Sequence, residues 1–185
     1  SLAATRDREI TRGQASLLRL GGYFGTWQGF GLATLSEDDT ENQTVAASLA
    51  GGLAGIVLAA VAGAATDPSP GQAAIVNYGA LWGTWLSFAG TQVADMDDGD
   101  AILATTLAGG VAGLAAGALL ASRHDMREGR ANLINLGGVA GTLVASGVLM
   151  LIQPDEGQTA MATVMVGGVL GLIGAARRTE GYGLP

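Results

Sequence analysis

The charged residues of this chain leave six long uncharged blocks between them: 20–36, 42–66, 68–94, 101–122, 131–154 and 157–176. The blocks run 17, 25, 27, 22, 24 and 20 residues, close to the ~20 apolar residues that carry a helix across a bilayer. Ala and Leu, both strong helix formers, dominate them. None keeps the apolar/polar alternation of a half-buried strand. Their glycines recur at four-residue intervals, which is one face of a helix. The pattern therefore predicts six helices. Strand pairs of an outer-membrane barrel are the competing assignment, and they need alternating faces.

A second pattern lies over the first. Gly51-Gly52-Leu53-Ala54-Gly55 recurs as Gly109-Gly110-Val111-Ala112-Gly113 and as Gly167-Gly168-Val169-Leu170-Gly171, each time 58 residues on. Gly13-Gln14-Ala15 recurs at 71 and, as Gly129-Arg130-Ala131, at 129. Gly25-Thr26-Trp27 recurs at 83 and 141, with Leu143 in the last position. Self-similarity at a fixed period is the mark of a repeat architecture. The expected fold is one all-α domain over 1–185, built from three tandem hairpins at 11–68, 69–126 and 127–185. Two helices per copy make the repeats parallel, so the expected closure is a six-helix membrane bundle with pseudo-threefold symmetry. Six-helix carriers are similar in that geometry, but their Pro-x-Asp/Glu-x-x-Lys/Arg signature is missing and no activity carries over.

The block edges hold start signals. Thr11-x-x-Gln14 and Ser69-x-x-Gln72 read as capping boxes, with Pro70 at a first helical position. Asp39, Asp97 and Asp155 share one register and are expected to cap the second helix of each hairpin.

Small residues at four-residue spacing line every block, among them Gly25, Gly55, Gly83, Gly113, Gly141 and Gly171. Lipid offers no hydrophobic force between helices, so close backbone approach over such stripes supplies the packing. At motif level this resembles the glycine-zipper class of bacterial membrane proteins. The resemblance implies tight helix packing or self-association and brings no chemistry with it.

Charge adds a direction. All nine cations are Arg, at 6, 8, 12, 19, 123, 127, 130, 177 and 178, and all lie near the starts of odd helices or the ends of even ones. The opposite connections hold Glu37, Asp38, Asp39 and Glu41, then Asp95, Asp97, Asp98 and Asp100, then Asp155 and Glu156. Across a bacterial inner membrane the Arg side is cytoplasmic, which places both termini there. The blocks are not greasy, however: mean hydropathy is only +0.38, and the first block is the shortest and holds Gln28.

Little chemistry is in view. The chain has no Cys, one His (His124) and a net charge of -7. That excludes disulfides, thiolate and multi-histidine metal sites, and a basic surface for nucleic acid. No catalytic residue, cofactor, metal site or small-molecule substrate is expected. The run Asp95–Asp100 lacks the spacing of an EF-hand loop. Arg19, Asn77 and Asn135 are repeat equivalents, as are Thr26, Thr84 and Thr142; facing a central axis, they would form two polar rings. The leading expectation is a structural or assembly module whose partners are the lipid bilayer and other copies or membrane subunits. A start at Ser1 within a charged segment fits the membrane part of a longer protein. A small transporter or pore on the threefold axis, and a soluble helical bundle buried in a large assembly, are the alternatives.

Overall fold

The computed structural model describes residues 10–36, 40–124 and 126–180. Among these residues the chain forms six helices and no strand. They are α1 (Arg12–Thr34), α2 (Glu41–Thr66), α3 (Pro70–Val93), α4 (Gly99–Arg123), α5 (Glu128–Ile152) and α6 (Gly157–Arg178). Consecutive helices pair as hairpins α1–α2, α3–α4 and α5–α6, hereafter hairpins 1, 2 and 3.

The helices start where side chains satisfy the orphan N–H groups of the first turn. Thr11, Thr40 and Ser69 each accept from the backbone of the residue three on, while Gln14, Gln43 and Gln72 reach back to the cap N–H. For the even helices the caps fall one residue later than expected. Asp98, not Asp97, caps α4, and its carboxylate accepts from the N–H groups of Asp100 and Ala101. Glu156, not Asp155, holds the cap position of α6, with no side-chain cap bond. At α2 the cap is Thr40, and Asp39 lies outside the described residues. Counting back from the uncharged blocks, as the sequence pattern invites, picks the last turn residue instead of the one whose oxygen reaches the first turn.

The odd helices form one layer in which α3 touches both α1 and α5. Helix α4 also contacts α1, and α6 also contacts α3, whereas α2 contacts α1 alone. Among the described residues hairpins 1 and 3 do not touch. The expected threefold closure is therefore not made within the chain: the hairpins stand in an open row with hairpin 2 in the middle. Helices α4 and α6 each lean toward the hairpin before their own.

Four helices, α2, α4, α5 and α6, are long and apolar enough to cross a membrane. The pattern predicts six, but α1 and α3 fall short. Helix α1 carries Arg12, Gln14, Arg19 and Gln28, and α3 carries Gln72, Asn77 and Gln92. Several of these polar groups bind neighbouring helices, as set out below.

Burial runs opposite to that of a water-soluble domain. The buried apolar side chains are mostly alanines, at 73, 74, 80, 89, 121, 131 and 145, with Leu20 and Leu107 the only larger ones among the described residues. Leu49, Leu53, Val57, Leu58 and Val61 of α2, and Val144, Met150, Leu151 and Ile152 of α5, stand exposed. Large contiguous apolar surface of this kind marks contact with a membrane or a partner.

Candidate helix-packing interfaces

Within each hairpin the two helices meet backbone to backbone. Gly25 faces Gly51 and Gly55 of α2, Gly83 faces Gly109 and Gly113 of α4, and Gly141 faces Gly167 and Gly171 of α6. A Cβ on Gly25 would lie 3.2 Å from the Cα of Gly55, and one on Gly141 would lie 3.0 Å from the Cα of Gly171. The six glycines singled out in the sequence thus fall as three facing pairs. At this approach the neighbour is main chain, which no rotamer change can move aside.

A second contact flanks each glycine pair. Thr26 Oγ1 donates to the carbonyl of Gly22 at 2.8 Å, Thr84 Oγ1 to that of Ala80 at 2.8 Å, and Thr142 Oγ1 to that of Gly138 at 3.0 Å. Their hydroxyls sit against Gly52, Gly110 and Gly168 respectively. Each threonine is satisfied on its own helix and serves the packing inside its own hairpin. They line no common axis, because hairpins 1 and 3 stay apart.

The Arg-rich end of each hairpin is locked by the third residue of its odd helix. Gln14 Nε2 donates to the Gly63 carbonyl at 3.3 Å, Gln72 Nε2 donates to the Ala121 carbonyl at 3.0 Å, and Arg130 Nε donates to Thr179 Oγ1 at 3.3 Å. Each pair spans 49 residues. These bonds hold the C-terminal turns of the even helices, where carbonyls lack intrahelical partners.

Between hairpins the bonds come from side chains of the odd helices. Tyr23 donates its hydroxyl hydrogen to Asn77 Oδ1 at 2.8 Å, and Asn77 Nδ2 donates to Ser16 Oγ at 3.1 Å. Trp82 Nε1 donates to Asn135 Oδ1 at 2.9 Å, and the Tyr78 hydroxyl donates to Asn132 Oδ1 at 2.7 Å. Gln28 Nε2 donates to the Leu107 carbonyl at 3.2 Å, and the Leu107 side chain rests on Gly31. Phe24 packs on Gly110, and Trp82, one repeat later, packs on Gly168. Of the first expected polar ring, Asn77 and Asn135 lie in the two seams between hairpins, while Arg19 is exposed on hairpin 1. The two sets form rows along the array and no ring. Ser16, Asn132 and Leu107 carry no mark in the sequence pattern. The signal that could have found them is a polar or bulky residue within a block otherwise built of small ones.

At the acidic end, Gln92, Asp95, Glu156, Gly157, Gln158 and Met161 line an open groove of about 590 Å³. Among the described residues no three His, Asp or Glu side chains converge where a metal ion would sit. His124 is exposed at the end of α4, with Nδ1 3.3 Å from the Leu120 carbonyl. No protein family, curated protein or solved structure matches the chain.

Proposed function

We propose that this chain is a membrane-embedded packing module. Its three hairpins cross a bacterial inner membrane with the Arg-rich end and both termini on the cytoplasmic side, and it serves structure or assembly instead of catalysis. One observation carries the reading: small residues fill the inside while Leu, Val and Ile face outward. In water that arrangement exposes what folding should bury; in lipid the outer surface meets hydrocarbon, and small-residue contacts do the packing. Helices α1 and α3 cross with their neighbours, which take up their polar groups through the seam bonds described above. The Arg at one end and the acidic turns at the other support the orientation. Satisfied threonines and the open row leave a pore on a threefold axis without a lining.

Thr40→Cys and Ser122→Cys test this directly, since the chain has no cysteine of its own. In sealed inverted vesicles an impermeant maleimide should label Ser122→Cys and spare Thr40→Cys, with the reverse in intact spheroplasts. Labelling of both from one side would end the reading, as would recovery of the chain in the aqueous fraction without detergent.

A further inference from the structure

An open row leaves two faces unmatched. The leading face of hairpin 1 holds the positions through which hairpin 2 receives hairpin 1. The trailing face of hairpin 3 holds the positions through which hairpin 1 docks onto hairpin 2. Leu107 is 4% exposed because it seats on Gly31, whereas Leu49, its counterpart 58 residues earlier, is 64% exposed. Ala73 and Ala131 are buried, and Ala15, their counterpart on hairpin 1, is exposed. At the far end, Leu20 is 4% exposed and its hairpin 3 counterpart Leu136 is 61% exposed. Gly31 and Ala89 are buried, and Gly147 in the same position is exposed.

We propose that the chain assembles head to tail, the trailing face of hairpin 3 docking onto the leading face of hairpin 1 of a second copy. The register is the one already used between hairpins 1 and 2. A second copy is the occupant because the two faces are the two halves of one interface that the chain builds twice within itself. In that register Leu49 of the next copy falls on Gly147, as Leu107 falls on Gly31. The polar match is only half present: Arg19, at the Asn77 position, is exposed, whereas Asn132, at the Ser16 position, already accepts from the Tyr78 hydroxyl in the second seam. A ring contact is missing too: Ala140 stands where Phe24 and Trp82 provide a ring, so the seam between copies is weaker than those within the chain. Such an interface is heterologous and leads to rings or filaments, not to a closed twofold dimer. The inference takes its lipid setting from the membrane reading, but the matching of faces does not depend on it.

The test is oxidative cross-linking of full-length chains in their native membranes. Leu49→Cys and Gly147→Cys are made as separate variants and co-expressed. A Cβ at Gly147 meets no atom within 4 Å among the described residues, so the substitution is tolerated. Leu49→Cys with Val166→Cys, an exposed position on α6, is the control. A severalfold excess of the 49–147 disulfide over the 49–166 product is expected, and Ala140→Trp should raise it further. Equal yields mean random collision and overturn the proposal. So does the absence of both products from chains that remain in the membrane fraction, a result that leaves the membrane reading standing. Recovery of the chain as a detergent-free soluble protein defeats the membrane reading instead, and the 49–147 yield then still decides the head-to-tail contact.

Discussion

A Cβ placed on Gly83 would lie 2.7 Å from the Cα of Gly113, and one placed on Gly113 would lie 2.7 Å from the Cα of Gly83. The two residues therefore exclude any side chain from each other, and the obstacle on both sides is backbone. Gly83→Ala must push α3 and α4 apart, and the flanking contacts go with them. We expect a loss of about 1–3 kcal/mol, the usual cost of overpacking, read as a lower midpoint of thermal unfolding in detergent. Gly174→Ala is the matched comparison. It also sits inside a helix, but its Cβ meets nothing within 4 Å among the described residues, so the gain in helix propensity of about 0.5–1 kcal/mol should show. Equal effects at the two sites would mean that close approach is not what holds the hairpin.

The seam between hairpins 1 and 2 predicts a graded series. Tyr23→Phe removes one hydroxyl, and with it the bond to Asn77. Hydrogen bonds between helices in membranes average ~0.6 kcal/mol, so a small loss of that order is expected. Asn77→Leu should cost more, because Asn77 also donates to Ser16 and to the Ala73 carbonyl. Combining the two should add little to Asn77→Leu alone, since they remove a shared bond. Full additivity in a double-mutant cycle would argue that Tyr23 and Asn77 do not interact.

Much of this fold is legible in the sequence, because a hairpin needs only local information. Uncharged block length sets where helices run, and glycine spacing marks the packing face of each helix, so Gly25 and Gly55 stand out as packing positions in the sequence alone. How hairpins combine is not local. The odd helices α1, α3 and α5 carry corresponding stripes whether the row closes or stays open, and the sequence period is the same in both. What decides is the lean of α4 onto α1, where the Leu107 side chain seats on the bare backbone of Gly31, 76 residues away in sequence. The threonines misled for a related reason. Three equivalents at one depth read as a ring, yet a hydroxyl bonded to the carbonyl four residues back has no need of an axis.

The shift of the caps by one residue predicts a sharp difference between neighbours. Asp98→Ala removes the carboxylate that accepts from Asp100 and Ala101 and should cost about 1 kcal/mol. Asp97→Ala removes a turn residue that makes no such bond and should cost little. Amide exchange at the start of α4 would separate the two; equal deprotection by both substitutions would restore Asp97 to the cap.

Two turns hold non-glycine residues in the left-handed region at corresponding positions, Asp95 at φ 54° and Gln153 at φ 47°. Left-handed backbone costs an ordinary L-residue about 1–2 kcal/mol, and Asp tolerates it better than most. Gln153→Gly should therefore stabilise the α5–α6 hairpin by about 1 kcal/mol, and Asp95→Gly should help its own hairpin less. A larger gain at Asp95 in thermal unfolding would contradict this ordering.

Arg130 occupies the position that Gln14 and Gln72 fill in the earlier hairpins, and the substitution changes the physics of the lock. The glutamines hold the ends of α2 and α4 through hydrogen bonds to the Gly63 and Ala121 carbonyls, and Gln14 Nε2 also donates to Asp67 Oδ1 at 3.3 Å. Arg130 reaches the end of α6 through Thr179 Oγ1 and, at 3.5 Å, the Ala176 carbonyl. It also brings a full positive charge to the negative end of the helix dipole, an interaction of roughly 0.3–1 kcal/mol at low ionic strength. That part is screened by salt, whereas the neutral bonds are not. The third hairpin should therefore lose more stability between low and physiological salt than the first, whose α2 has no cation in its last turn. Arg130→Gln should remove the salt dependence and leave the lock in place. Arg130→Ala should remove both, and increase amide exchange over the last turn of α6. A salt response unchanged by Arg130→Gln would assign the effect to Arg177 and Arg178 in that same last turn.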